Sequence, residues 1–190
     1  MKILILNGSP RSNGNISSML DIMRREAETS GHSTETIIVN TLDIHPCTGC
    51  MSCRKLGKCR LPEDDAQRTL SKIKDCDILI IGIPCYWGNM PGQTKVLFDR
   101  CVYGMMGEGT NGYPKPLHKG KKAIIMSTCT TTYPFNILFR QSRGAVKAMR
   151  EILKWSGFKV TGTLEKGGTR KHPELTEREK KQCRKLIGNL

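Results

Sequence analysis

The residues predict an α/β fold, an open parallel sheet of five strands wound on both faces by helices. Short apolar runs alternate with segments of helical periodicity along the chain, the alternation that builds parallel sheets. The central runs are almost continuously apolar instead of alternating, as strands covered on both sides require. No internal repeat, low-complexity tract or linker interrupts the 190 residues, a length at which one core closes without staples. The reading is a single domain over 1–190.

Residues 2–6, cut off by Asn7-Gly8-Ser9-Pro10, form a buried strand entering a turn. From Ile16, apolar residues recur at Met19, Leu20, Met23 and Ala27, an amphipathic helix that Gly31 stops. A second strand is expected at 34–39. Pro62 with Glu63, Asp64 and Asp65 opens a helix that turns Ala66, Leu70 and Ile73 inward, since proline suits the first turn and acids its dipole. Residues 78–83, ended by Pro84, are the most apolar segment and the central strand. A helix over 93–102, a strand over 123–127, a helix around Val146, Met149, Ile152 and Leu153, and a strand over 158–163 continue the alternation. Thr176 and Glu179 form a capping box for a basic last helix at about 176–187.

The chain carries 31 Lys and Arg against 17 Asp and Glu, a net charge of +14. Such a charge is the first sign of a nucleic-acid binder. Here, however, the excess is spread along the chain, and 5% aromatics leave little for base stacking. Nucleic acid is therefore not the expected partner. Residues 166–190 hold eight basic against three acidic residues, which read as a solvated face able to steer an acidic electron-transfer protein. The longest apolar stretches, 3–6 and 78–83, fall far short of the ~20 residues of a membrane helix. No apolar segment has signal-peptide length either, so the expectation is a cytoplasmic protein with no membrane contact.

In such a sheet ligands bind at the carboxyl ends of strands where the winding reverses, which singles out the loops after the first, third and fourth strands. The first loop, Asn7 to Asn15, sets Ser, Asn, Arg11 and backbone N–H groups at a helix N-terminus, a seat for a phosphate dianion; its other reading is a polar turn. The loop Pro84-Cys85-Tyr86-Trp87-Gly88-Asn89-Met90-Pro91 puts two aromatics beside flexible backbone and suits a flat ring, although aromatics also cap cores. Residues 128–133 add hydroxyls and Tyr133 at the same edge.

Nine cysteines are present, and four cluster as Cys47, Cys50, Cys53 and Cys59. So short a loop can wrap four thiolates around one iron-sulfur centre, and Arg54, Lys55, Lys58 and Arg60 offset the negative charge. Free or redox-active thiols and a zinc site use the same residues. Zinc more often takes two pairs set farther apart. Cys76, Cys101, Cys129 and Cys183 read as core residues, and Cys85 stands inside the aromatic loop.

These motifs resemble the flavodoxin-like FMN reductases, through Asn7 to Arg11 with Asn15, and through Pro84-x-Tyr86-Trp87-Gly88-Asn89-Met90-Pro91 with Lys95 and Phe98-Asp99-Arg100. With the cysteine loop and Asp64-Asp65 the resemblance is to their iron-sulfur flavoprotein branch, over roughly 1–135. It implies strand order 2-1-3-4-5, an FMN cofactor and a [4Fe-4S] cluster on Cys47, Cys50, Cys53 and Cys59. Ser9, Arg11, Ser12 and Asn15 would hold the FMN phosphate, with Ile16 and Ser17 at the helix start, where Ile16 departs from the Thr often found. Pro84, Tyr86, Trp87, Gly88, Asn89 and Met90 would contact the isoalloxazine; Ser127, Thr128, Thr130 and Tyr133 would close its other side. The implied function is electron transfer between cluster and FMN, with a ferredoxin-like protein or a small molecule as partner. The alternative is an NAD(P)H-dependent FMN or quinone reductase without a cluster.

In that strand order the second strand lies about 10–15 Å from the flavin loops. A homo-oligomer, dimer or tetramer, bringing one subunit's cluster to another's FMN is therefore expected. Gly107-x-Gly109-x-x-Gly112 spells a dinucleotide pattern but follows a helix and precedes Pro114 and Pro116, so it is set aside. No cysteine has an arginine six residues on, no Walker lysine motif occurs, and His32, His45, His118 and His172 are isolated.

Overall fold

The computed structural model describes the backbone of residues 1–190 and every side chain except that of residue 111. Five parallel strands form the sheet: β1 (Lys2–Asn7), β2 (Ser33–Ile38), β3 (Ile78–Pro84), β6 (Lys122–Thr128) and β7 (Lys159–Lys166), in the order β2-β1-β3-β6-β7. This is the flavodoxin-like order 2-1-3-4-5. A two-stranded antiparallel ribbon, β4 (Met106–Glu108) with β5 (Pro114–Pro116), stands apart from it.

Side-chain alternation splits the core into two layers. Leu4 and Leu6 of β1, Leu79, Ile81 and Ile83 of β3, and Ala123 and Ile125 of β6 face one side. There they meet α3 (Asp65–Asp75), α4 (Gly92–Met105) and α6 (Gln141–Ser156), the last preceded by the short α5 (Phe135–Leu138), through Leu70, Ile73, Leu97, Phe98, Val146 and Met149. Ile3, Ile5, Ile78, Ile80, Ile124 and Met126 face the other side. Met19, Leu20 and Met23 of α1 (Asn15–Thr29) and Cys183 and Ile187 of α7 (Glu177–Gly188) cover them. Each such fully buried aliphatic side chain contributes about 1.5–3 kcal/mol. No described helix is long and apolar enough to cross a membrane.

The differences from the sequence reading fall at edges. β7 runs three residues beyond the expected end, to Lys166, because its ladder with β6 continues through Thr128 opposite Lys166; Leu164-Glu165-Lys166 has no apolar run to announce it. β2 covers 33–38, and Val39 already begins a short 3₁₀ turn. α4 extends to Met105. The β4–β5 ribbon was not expected, since the prolines that argued against a dinucleotide loop are tolerated in a short edge strand. The capping box at Thr176 and Glu179 is formed, and a second one closes α3 at Asp64 and Gln67.

Candidate functional site

The turn after β1 is tied down before any ligand is considered. Gly8 N–H donates to the Gly82 carbonyl at 2.8 Å. A Cβ on Gly8 would stand 2.6 Å from Thr94 Oγ1 of α4 and 3.1 Å from the Gly82 carbonyl oxygen of β3, so glycine lets the turn pack against both. Ser9 N–H donates to Asn7 Oδ1 at 3.0 Å, and Asn7 Nδ2 donates to Ser17 Oγ at 3.0 Å. The Ser17 hydroxyl in turn donates to the Arg11 carbonyl at 2.8 Å. The loop is thus braced from inside. At its end α1 starts after Gly14, its N-cap, with no side-chain cap and no acid in the first turn, leaving N–H groups and the positive helix end for an anion. Asn15 Oδ1 is buried without a partner, and exposed Arg11 makes no ion pair among the described residues.

A cleft of about 260 Å³ opens from this turn, lined by Ser9, Arg11, Asn13, Gly14, Asn15 and Ile16 on one side. Pro84, Cys85 and Tyr86, then Thr128, Cys129 and Thr130, with Thr169 and Pro173, complete it. Three loops read separately in the sequence therefore share one rim. Asn13, Gly14, Cys129, Thr169 and Pro173 were missed. Thr169 and Pro173 lie outside any motif and reach the cleft because the chain after β7 folds back, Thr169 N–H donating to the Cys129 carbonyl at 3.1 Å.

Other expected residues stand elsewhere. Ser12 is exposed and outside the lining. The Met90 side chain is buried in the core. Ser127 is buried, its Oγ donating to the Ser142 carbonyl at 3.5 Å. Tyr133 is 80% exposed and Trp87 fully exposed. Tyr86 and Asn89 close a tight turn whose central residues, Trp87 and Gly88, have φ of 52° and 72°. Left-handed backbone at tryptophan costs roughly 1–2 kcal/mol. α6 backs this turn: a Cβ on Gly144 would lie 1.9 Å from the Gly88 carbonyl oxygen. Cys85 sits between, its thiol donating to the Gln141 carbonyl, and burial raises its pKa as it does that of Cys129.

The cysteine loop is built differently. Cys47 and Cys50 are exposed, Cys53 and Cys59 half-buried. Its only helix is the five-residue α2 (Ser52–Leu56), bounded by left-handed Met51 and Gly57. Hydrogen bonds from the Ser52 side chain and backbone, aided by Thr48 and Arg60 against slight burial, hold the Cys50 thiol below its usual pKa. Burial instead pushes Cys76 and Cys183 to about 11 and Cys101 to about 12. Among the described residues no three metal-ligating side chains are gathered at one point. The donors nonetheless fit a thiolate-bound centre in kind and number, and a buried cation anchors the two ends of their loop. Arg100, its side chain 0% exposed, pairs with Asp64 at 2.7 Å and donates to the His45 carbonyl. Its Nε and Nη2 have no hydrogen-bond partner. The cavity touching Cys53 shares no lining residue with the cleft.

The sheet order, with a cleft of about 260 Å³ at the switch of winding, defines a flavodoxin-like protein. The NADPH-dependent FMN reductase family matches residues 1–164, and the chain belongs to that family. It is 37% identical over 107 residues, 56% of this chain and 52% of the relative, to an iron-sulfur flavoprotein of Archaeoglobus fulgidus. An iron-sulfur flavoprotein of Clostridioides difficile is 29% identical over 98% of this chain and 76% of its own length. The match spans about half the length of the archaeal relatives. An azoreductase structure from Bacillus anthracis superposes with a TM-score of 0.77 at 14% identity, covering 100% of both chains, a likeness of fold.

Proposed function

We propose that the protein is an FMN-dependent electron-transfer oxidoreductase. The observation that carries the reading is the single rim on which an uncapped helix start, an unpaired cation and an aromatic-edged loop meet. Backbone N–H groups of the first turn of α1, with Ser9 and Arg11, would take the phosphate; Asn13 and Gly14 line the turn beside them. Buried Asn15 Oδ1 is an acceptor suited to a ribityl hydroxyl. Tyr86 with Pro84 on one side and Thr128 with Thr130 on the other would bound the ring. When bound, FMN supplies one- and two-electron transfer; the chain orients it and needs no nucleophile of its own.

Cys47, Cys50, Cys53 and Cys59 would hold a [4Fe-4S] cluster, the reading favoured by relatives named iron-sulfur flavoproteins. Since the cysteine loop and the cleft share no wall, a homo-oligomer would bring one subunit's loop to another's flavin. Exposed Trp87, Tyr133 and Phe139 offer apolar surface for that contact. The redox partner would be an acidic carrier protein or a small-molecule acceptor, and nine unpaired cysteines suit the reducing cytoplasm. The ungathered thiols favour a second reading, an NAD(P)H-dependent FMN or quinone reductase without a cluster.

Anaerobic purification, a visible spectrum and iron and sulfide analysis test both. Flavin with about four irons and four sulfides per chain is the expected result. Flavin without iron, together with rapid NAD(P)H oxidation, selects the second reading, and failure to bind FMN overturns both.

A further inference from the structure

The wall that Thr169 and Pro173 give the cleft is supplied after residue 164, where the family match ends. Its backbone is tied to the loop after β6. Gly168 N–H donates to the Thr131 carbonyl at 2.8 Å, and the Thr169 N–H and hydroxyl both donate to the Cys129 carbonyl at 3.1 Å. A Cβ on Gly167 would stand 2.6 Å from the Thr131 oxygen, so the two segments meet backbone to backbone. Farther on, Pro173 stands beside Asn13 and Asn15, with which it lines both the cleft and the neighbouring groove along α1 and α7. Segment 167–175 therefore straps the cleft from the loop after β6 to the start of α1. Lys166 fastens this strap without lining the cleft itself. Its side chain is 2% exposed, and its ammonium has three acceptors for three N–H groups: the Glu174 carbonyl at 3.1 Å and the two Glu179 carboxylate oxygens at 3.0 and 3.1 Å. Glu179 Oε2 also accepts from Thr176 N–H at 2.8 Å. One buried cation thus joins the end of β7 to the far end of the strap and to the first turn of α7.

We infer that Lys166 is a positioning residue for the cofactor, holding segment 167–175 closed over the end of the cleft assigned above to the phosphate, so that bound FMN leaves slowly. The inference rests on the FMN reading and adds to it a residue that touches no part of the ligand. A wall already in place costs little to bind against, and differences among related complexes fall mainly on release instead of association. Without the ammonium, the Glu174 carbonyl and Glu179 lose their common donor, and the far end of the strap is freed while β7 keeps its ladder to β6. Methionine at 166 keeps an unbranched apolar stem but donates nothing.

The test measures FMN association by stopped-flow fluorescence and FMN release by dilution of the loaded protein, for wild type, Lys166→Met and Pro173→Gly, each well below its melting transition. Lys166→Met is expected to release FMN roughly tenfold faster while association changes by no more than about twofold. In the FMN-free chain its Gly168 and Thr169 amides should exchange faster with deuterium. Pro173→Gly loosens the exposed strap without touching the ion pair and is expected to speed release in the same direction with an unchanged melt. If Lys166→Met misfolds because Glu179 is left unpaired, Lys166→Met combined with Glu179→Gln supplies the comparison by the same readings. A folded Lys166 variant that melts lower but releases FMN at the wild-type rate would overturn the inference and leave the lysine a purely structural part. So would fast release from that variant with wild-type release from Pro173→Gly, since the effect would then bypass the strap. A wild-type chain that does not bind FMN would overturn the cofactor reading and this inference with it.

Discussion

The cleft rim and the cysteine loop lie at the same edge of one sheet, yet are built on opposite terms. The rim is rigid before any ligand arrives: Gly8 and Ser9 are buried, the turn is held by side-chain and backbone bonds at both ends, and α6 presses on Gly88. The loop has exposed thiols and one five-residue helix, with order concentrated at its anchors, His45 and Asp64. A preorganised rim binds a rigid organic cofactor at little ordering cost. A loop of unpaired thiols acquires its final shape from what it binds.

Substitutions that break this contrast rank by how deeply they reach into the packing. Gly144→Val forces a side chain into the Gly88 carbonyl and is expected to cost about 3 kcal/mol, read as a lowered midpoint in urea, with FMN binding lost. If stability and FMN affinity both survive, α6 does not set the rim. Arg11→Ala leaves the fold intact and weakens FMN about tenfold, roughly 1.4 kcal/mol; a flavin fluorescence titration with an unchanged Kd would remove Arg11 from the phosphate seat. Trp87→Gly releases a left-handed tryptophan and is expected to stabilise the FMN-free protein by about 1 kcal/mol. A loss of stability would show that Trp87 makes a contact outweighing its backbone strain.

Acid sharpens the comparison from the loop's side. His118 is buried, stacked on Phe158, and donates Nε2–H to the Gly104 carbonyl near the end of α4. Burial, together with Lys121 and Lys74 and against that hydrogen bond, lowers its pKa below 6.5. The unfolded chain therefore binds a proton that the folded one refuses, and stability falls as pH drops from about 6.5 toward the folded value. Above that window the effect vanishes. His118→Phe should flatten this slope in pH-dependent melts, and an unchanged slope would assign it elsewhere. The smallest stability change is expected for Cys50→Ser on the exposed loop, within about 0.5 kcal/mol. FMN content should be unchanged while iron falls; a loss of flavin as well would show that the two regions are coupled within one chain.

The comparison also explains which features could be read from residues alone. The strand order followed from the resemblance, while the strands themselves followed from apolar runs such as 78–83, whose burial on both faces leaves no other place for them. The first turn was legible for a related reason, because Asn, Gly, Ser and Pro at a strand end have few conformations that satisfy their backbone. Met90 and Ser127 were expected at the cofactor and point into the protein, since a motif fixes a backbone path without fixing the direction of every side chain. The last three residues of β7 were hidden because an edge strand is held by its ladder more than by apolar side chains.

The order of residues by itself determined the layered α/β class, the phosphate-type turn and the grouping of four thiols within one short loop, all properties of neighbours along the chain. Only the folded molecule decided that Thr169 and Pro173 close the cleft, that Gly144 supports the turn at Gly88, and that Arg100 lies buried against the His45 carbonyl. Those contacts join residues forty or more positions apart along the chain. They form only because packing of the sheet and its helices outweighs the entropy of closing such loops, a balance that no local pattern records.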